Sequence, residues 1–215
     1  MPSVYDLKPR FQELLRRPMA GLHGAGISAN AVTVAALLAS GAYGGWLALR
    51  PGSRWAWGLL PAFLLGRMAL NALDGMLART YQQQSRLGAL LNEGGDVVAD
   101  AALYAPVALL PGAQPALVAL VVGLAGLSEF VGVVGQTLGG GRRYDGPCGK
   151  SDRAVAFGGL GLLLGLGVAL GPYLNYGLLA LAILLVLTCF NRGRRALQAA
   201  EATEAAGPAP TPPQP

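Results

Sequence analysis

Six apolar stretches, most of them near the 20 or so residues needed to cross a hydrocarbon core, alternate with short runs rich in Gly, Pro or charge. They cover about residues 27–49, 55–77, 87–110, 113–138, 154–170 and 174–190. The breaks between them read RPGSR, RTYQQQSR, PGAQP, GGGRRYDGPCGKSDR and GPY, each with turn-forming residues. The last two spans are short and must stand nearly upright or borrow flanking residues. Ahead of the first span, Val4, Leu7, Phe11, Leu14 and Leu15 recur at helical spacing, with Lys8, Arg10, Arg16 and Arg17 elsewhere on the wheel. That spacing predicts an amphipathic helix over 3–20 lying on an anionic membrane surface. Residues 199–215 are Ala/Pro-rich and polar, and disorder is expected there. The pattern as a whole predicts an all-α integral membrane protein: an interfacial helix and six transmembrane helices in one domain, 1–193.

Composition agrees with the pattern. The chain has 215 residues, 53% of them hydrophobic and only 13% charged, with a mean hydropathy of +0.46, values that suit a bilayer better than water. The net charge of +5 follows topology. With the N-terminus inside, Lys8, Arg10, Arg16, Arg17, Arg79, Arg86, Arg142, Arg143, Lys150, Arg153, Arg192, Arg194 and Arg195 fall on the cytoplasmic side, against Arg50 and Arg54 outside. Both termini are therefore expected in the cytoplasm, and the basic balance points to anionic lipid, not nucleic acid. Cys148 and Cys189 stand far apart and in no ligand-like spacing, which argues against a disulfide framework and a structural zinc site. His23, in a glycine-bounded linker, reads as a surface residue. Gly161 and Gly165 form a small-xxx-small pair for close helix packing, which makes a homodimer one of the expected assemblies. The chain lacks a Rossmann glycine fingerprint, a Walker lysine and the H-E-x-x-H or G-x-S-x-G motifs.

Against this apolar background, residues 71–100 carry a polar stripe. Asn71, Asp74, Gly75 and Ala78 share one face of the second span, and Gly88, Asn92, Asp96 and Asp100 follow at i+4 steps along the third. Ionisable residues inside a membrane are costly and point to function. A short loop makes the two spans antiparallel neighbours, so the stripes are expected to meet near the cytoplasmic interface. Carboxylate and amide oxygens suit hard divalent cations, and a pair of such ions about 4 Å apart would serve an in-line displacement at phosphorus. Gly75 leaves room at the helix backbone and Arg79 offers a phosphate partner. Spacing alone favours metal-assisted phosphoryl chemistry over ion transport or an interhelical polar clamp.

The stretch DGMLAR, then eight residues, then GALLNEGGD, resembles the signature of the CDP-alcohol phosphatidyltransferase family, D-x2-D-G-x2-A-R-x8-G-x3-D-x3-D. Asp74, Gly75, Ala78, Arg79, Gly88 and Asp96 match in identity and spacing. An interfacial helix followed by six spans is also the family's plan. The resemblance implies that Asp74 is a metal ligand, that Gly75, Ala78, Arg79 and Gly88 line the CDP site, and that Asp96 is a metal ligand and the base for the acceptor hydroxyl. It implies transfer of a phosphatidyl-type group from a CDP-linked lipid, CDP-diacylglycerol above all, to an alcohol. CMP is released, and Mg²⁺ or Mn²⁺ is the cofactor. It further implies a multi-pass protein of a bacterial inner membrane with a cytoplasmic active site.

Two positions depart from the signature: Asn71 and Asn92 stand where the family has aspartates. Amide oxygens still coordinate, but two negative charges are gone, so one metal is expected to bind firmly and a second weakly. Asp100, Glu93 and Glu129 are the carboxylates placed to compensate. Asp100 alternatively pairs with Arg67, Glu93 supports the site from its edge, and Glu129 is evenly balanced between ligand and structural partner. In the fourth loop, Ser151 or Asp152 is expected to cap the fifth span, with Lys150 and Arg153 beside it to hold a phosphate, the donor headgroup or an anionic acceptor such as a phosphorylated polyol. Contact with anionic lipid explains those two basic residues equally well. Three readings follow: a phospholipid-synthesising transferase, a degenerate relative that binds CDP-lipid or cation without turnover, and a transporter. The last is disfavoured by the off-centre stripe and the lack of an inverted repeat.

Overall fold

A computed structural model describes the backbone of residues 4–206 and the side chains of residues 11–205. The side chains of Val4, Leu7, Lys8 and Arg10, and the segment 207–215, lie outside the described residues. Among these residues the chain is all-α: α1 (Val4–Gly24), α2 (Ala29–Leu49), α3 (Arg54–Gly58), α4 (Leu60–Thr80), α5 (Arg86–Tyr104), α6 (Pro115–Thr137), α7 (Lys150–Gly165) and α8 (Tyr173–Ala206). Helix starts follow local chemistry. Ser28, Ser53 and Ser85 sit in extended backbone and accept from Ala31 N, Ala56 N and Gly88 N, capping α2, α3 and α5. Helix α7 begins at Lys150, earlier than the 154 expected. Asp152 Oδ2 reaches back to accept from Gly149 N at 2.8 Å, so the carboxylate acts from inside the first turn, not as the first residue before it.

Among the described residues four segments are long and apolar enough to span a membrane: Ala29–Leu49, Arg54–Thr80, Pro115–Thr137 and Tyr173–Ala205. The two other expected spans form helices that fall short of that standard, for different reasons. Helix α5 carries Glu93, Asp96 and Asp100 within its length, and the chain tightens after it into a 3-10 turn over Ala105–Leu109, where Pro106 cannot donate to the ladder. Helix α7 is 16 residues long and ends where Gly167 turns to a φ of +80°. At the other end of the chain, α8 continues without a break to Ala206. Residues 199–206, expected to be disordered, are therefore helical, as the high helix propensity of their Ala and Glu residues allows.

The chain forms two compact units, α1–α5 with Ala154–Leu170, and Pro111–Arg153 with Gly171 onward. In the first, α2 packs against both α4 and α5, whereas α4 and α5 meet through long polar side chains instead of closely packed backbones. The expected direct pairing of the second and third spans is thus replaced by a cleft with α2 as its floor. Gly44 makes the α2–α5 approach possible: a Cβ there would lie 2.1 Å from Ala102 O. Helix α1 closes the end of this unit, with Leu15 and Met19 buried against Ala29, Val32, Leu73, Met76 and Leu77, while Phe11 and Leu14 remain exposed. His23 stacks on Tyr81, ring centroids 3.6 Å apart, which joins the end of α1 to the end of α4. Gly161 meets Trp57 O and Leu60, and Gly165 meets Gly58 Cα. The small-residue pair therefore serves packing within the chain, on α3 and the start of α4.

In the second unit α6 and α8 pack along their lengths. The loop between α6 and α7 folds back on them: Arg143 N donates to Gly132 O, and Cys148 N donates to Thr188 Oγ1 at 2.9 Å. Gly146, at φ +126°, brings the loop so close to Thr188 that a Cβ would overlap it.

Candidate active site

The polar faces of α4 and α5 open onto a cleft of about 780 Å³. Asn71, Asp74, Gly75, Ala78 and Arg79 line it from α4, and Gly88 and Asn92 line it from α5. Helical periodicity alone brings the first set onto one wall, because i, i+3, i+4 and i+7 share a face. Asp74 is buried, and its Oδ2 lies 2.8 Å from Thr33 Oγ1 on α2. Thr33 Oγ1 also lies 3.1 Å from Ala29 O; its single proton favours the carboxylate, the stronger acceptor. Gly75 makes room for a neighbour on its own helix. A Cβ there would stand 3.3 Å from Arg79 Nη1, so the glycine lets the guanidinium fold back over the helix beside Asp74. At Gly88 a Cβ would lie 2.6 Å from Asn30 Oδ1 and 3.0 Å from Ser85 Oγ. Its smallness thus serves the packing of α5 on α2 as well as the openness of the cleft.

Asp96 sits behind this wall. Asn71 lines the cleft and donates Nδ2–H to Asp96 Oδ1 at 3.0 Å. Arg67, buried within α4, reaches the same carboxylate oxygen at 3.4 Å and pairs with Asp100 through its other nitrogen at 2.5 Å. The expected Arg67–Asp100 pair is present, and it extends to Asp96, which the stripe pattern did not reveal. Both carboxylates are held by α4, so this network stitches the two helices together, with one guanidinium shared between two carboxylates. Glu93 is half-buried on the same helix.

One carboxylate, Asp74, lines the cleft with several amide side chains, Asn71 and Asn92 among them, and Asp96 lies behind Asn71; among the described residues no three His, Cys, Asp or Glu side chains group as metal ligands. An oxygen-only donor set of this kind fits a hard cation such as Mg²⁺ or Mn²⁺. Sequence reasoning missed Thr33, Asn30 and Gln83, whose Oε1 accepts from Ala29 N at 2.8 Å. All three also line the cleft. They come from the start of α2 and from the loop after α4, where no periodicity marks them.

In the second unit, Glu129 is buried in the middle of α6 and gathers three guanidiniums: Arg153 at 2.9 Å, Arg142 at 3.1 Å and Arg192 at 3.4 Å. Arg153 is 1% exposed and Arg192 is equally buried. Arg192 Nη1 donates to Ser128 O, and Arg153 Nη1 lies 3.4 Å from Ser128 Oγ. Of the two readings open for Glu129, partner or ligand, the geometry gives partner. Arg153, expected to hold a phosphate or the acceptor, is committed to that carboxylate, since burying an arginine requires a counter-charge. Lys150 is half-buried at the start of α7. Cys148 lies nearby in the loop, and burial pushes its thiol above the ordinary value.

Residues 27–190 match the family model for CDP-alcohol phosphatidyltransferase. The chain is 47% identical over 199 residues to the inner membrane protein YnbA of Escherichia coli, covering 91% of this chain and 96% of that protein. Its fold is like that of phosphatidylinositol phosphate synthase of Mycobacterium tuberculosis, solved with CDP-DAG bound and, separately, in complex with manganese and citrate. The TM-score is 0.70 at 21% identity in both cases, over 84% of this chain and 92% and 88% of those chains. Cleft, signature and family match converge: the chain belongs to the CDP-alcohol phosphatidyltransferase family, membrane transferases of phospholipid biosynthesis.

Proposed function

We propose that the protein transfers a phosphatidyl-type group from a CDP-linked lipid, CDP-diacylglycerol in particular, to an alcohol and releases CMP. The observation that carries this is the cleft in which Asp74, Gly75, Ala78, Arg79 and Gly88 stand together on two helices in a chain of this family. The acceptor hydroxyl attacks the lipid-bearing phosphorus, the bridging P–O bond to the cytidylate breaks, and the electron pair leaves with CMP. Arg79 pairs with the pyrophosphate from the folded-back position that Gly75 permits. Asp74, oriented by Thr33, and the amide oxygens of Asn71 and Asn92 would hold a divalent ion, which when bound neutralises charge building on the phosphate oxygens. Asp96, fixed by Asn71 and Arg67, takes the hydroxyl proton. The acceptor is an alcohol. Both termini and the cleft face the cytoplasm in this reading, as the arginine and lysine bias directs.

The test is purified protein with CDP-diacylglycerol, Mn²⁺ or Mg²⁺ and a panel of alcohols, monitored for CMP. Metal-dependent CMP release that Asp96→Asn abolishes supports the transferase. One observation favours a second reading: Asn71 occupies Asp96 with a hydrogen bond where a reactive carboxylate is wanted. Tight CDP binding with no CMP release across the panel would establish that the protein is instead a non-catalytic binder of CDP-lipid.

A further inference from the structure

Beside Asp96 the chain supplies its own positive charge. The family signature has four aspartates, which here correspond to positions 71, 74, 92 and 96; four negative charges are balanced by two divalent cations. Of these four positions only Asp74 and Asp96 carry charge in this chain; with Asp100 they make three carboxylates, which Arg67 and one divalent cation together balance. The geometry agrees with that count. Asp96 Oδ1 receives the Asn71 amide at 3.0 Å and has Arg67 Nη2 at 3.4 Å. An amide oxygen turned to that carboxylate would repel it, so Asn71 presents its N–H. A cation on the same oxygen would face both an amide hydrogen and a guanidinium. Arg67 itself is buried and shared with buried Asp100, so it cannot swing away without breaking a buried ion pair.

We infer that Arg67 and Asn71 take the place of a second divalent cation beside Asp96, which leaves a one-ion centre built on Asp74. This rests on the reading of the cleft as a divalent-cation site and deepens it: the positive charge that a second metal would bring is built into α4. Arg67 lies outside the signature, one turn ahead of its first position, and acts as a positioning residue that holds the Asp96 carboxylate in place. Asn71 is the complementary change, since an aspartate there would face Asp96 as a like charge and call for a cation between them.

The test counts ions without substrate. Mn²⁺ is titrated into the full-length protein in detergent micelles, and the free ion is read from its electron paramagnetic resonance signal. The wild type is expected to bind one Mn²⁺ per chain. The paired change Asn71→Asp with Asn92→Asp is expected to bind two, and Arg67→Gln to tighten a second site by roughly tenfold. Arg67→Lys, which keeps the charge, should stay at one. If Arg67→Gln fails to fold, the asparagine pair, which changes no volume, carries the test alone. Two ions of similar affinity in the wild type, or a single ion in the doubly substituted protein, would overturn the inference. A CMP-release assay on the same preparation separates the two ideas. One bound ion with no transfer to any alcohol counts against the transferase alone, whereas two tight ions with active transfer count against the built-in charge alone.

Discussion

Two buried charge clusters in this protein use the same parts in opposite proportions. On α4 and α5 two carboxylates, Asp96 and Asp100, share one arginine, Arg67, while Asp74 stands on the wall of an open cleft. In the other unit a single carboxylate, Glu129, is surrounded by Arg142, Arg153 and Arg192. The first is rich in carboxylates and borders a space that a ligand can enter. The second lines no such cleft: Arg153 and Arg192 are buried against the glutamate and Ser128, and Arg142 closes it from a partly exposed position. Inside a membrane protein, therefore, charge by itself does not mark a site for chemistry; charge that faces a cavity does.

Substitutions can separate the two clusters. The largest effect is expected at the open one: Asp74→Asn and Asp96→Asn should each lower CMP release by about 10²-fold or more, and for Asp74→Asn, on the cleft wall, the thermal unfolding midpoint in detergent should stay near that of the wild type. A large fall in the midpoint would make the open cluster structural too. Next, Glu129→Gln should destabilise the fold by about 3–5 kcal/mol, because it leaves buried guanidiniums without their counter-charge. Denaturation in mixed micelles measures this, and a loss below about 1 kcal/mol would show that the Glu129 cluster is not a structural one.

How much of this was readable in the sequence depends on distance along the chain. The stripe on α4 and α5 was legible because helical spacing places Asn71, Asp74 and Ala78, or Asn92 and Asp96, on one face whatever surrounds them. The Arg67–Asp100 pair was legible for a related reason: two opposite charges at one depth in neighbouring apolar helices must find each other. The pairing of Arg153 was not legible, because its basic neighbours suggested an anion site and nothing local shows that Glu129, one helix earlier, would meet it. Thr33 escaped since a lone threonine in an apolar helix carries no periodic signal. The end of α8 was misplaced because Arg192, Arg194 and Arg195 mark where the apolar run stops, while the helix itself goes on.

Smaller effects probe the frame that keeps the cleft open. Gly44→Val would drive a side chain into Ala102 O, and a cost of about 1–3 kcal/mol is expected. Transfer activity should fall with it if the α2–α5 contact sets the cleft wall. Ser85→Ala removes the cap that meets Gly88 N at 2.9 Å and should cost about 1 kcal/mol. A thermal scan that resolves no difference would show that the start of α5 is held by its packing on Asn30.

Helix α8 is 34 residues long, so it measures roughly 51 Å at 1.5 Å per residue, against a hydrocarbon core of about 30 Å. Part of it must stand clear of the lipid as a stiff post. Its base is braced where Gly140 of the loop meets Ala196 and Ala199. A spin label or fluorophore on Glu201 or Glu204 would therefore ride on a rigid rod whose other end is set in the bilayer. Its tilt reports directly on the tilt of the membrane-embedded half, which makes α8 a built-in gauge of how that helix sits in the bilayer.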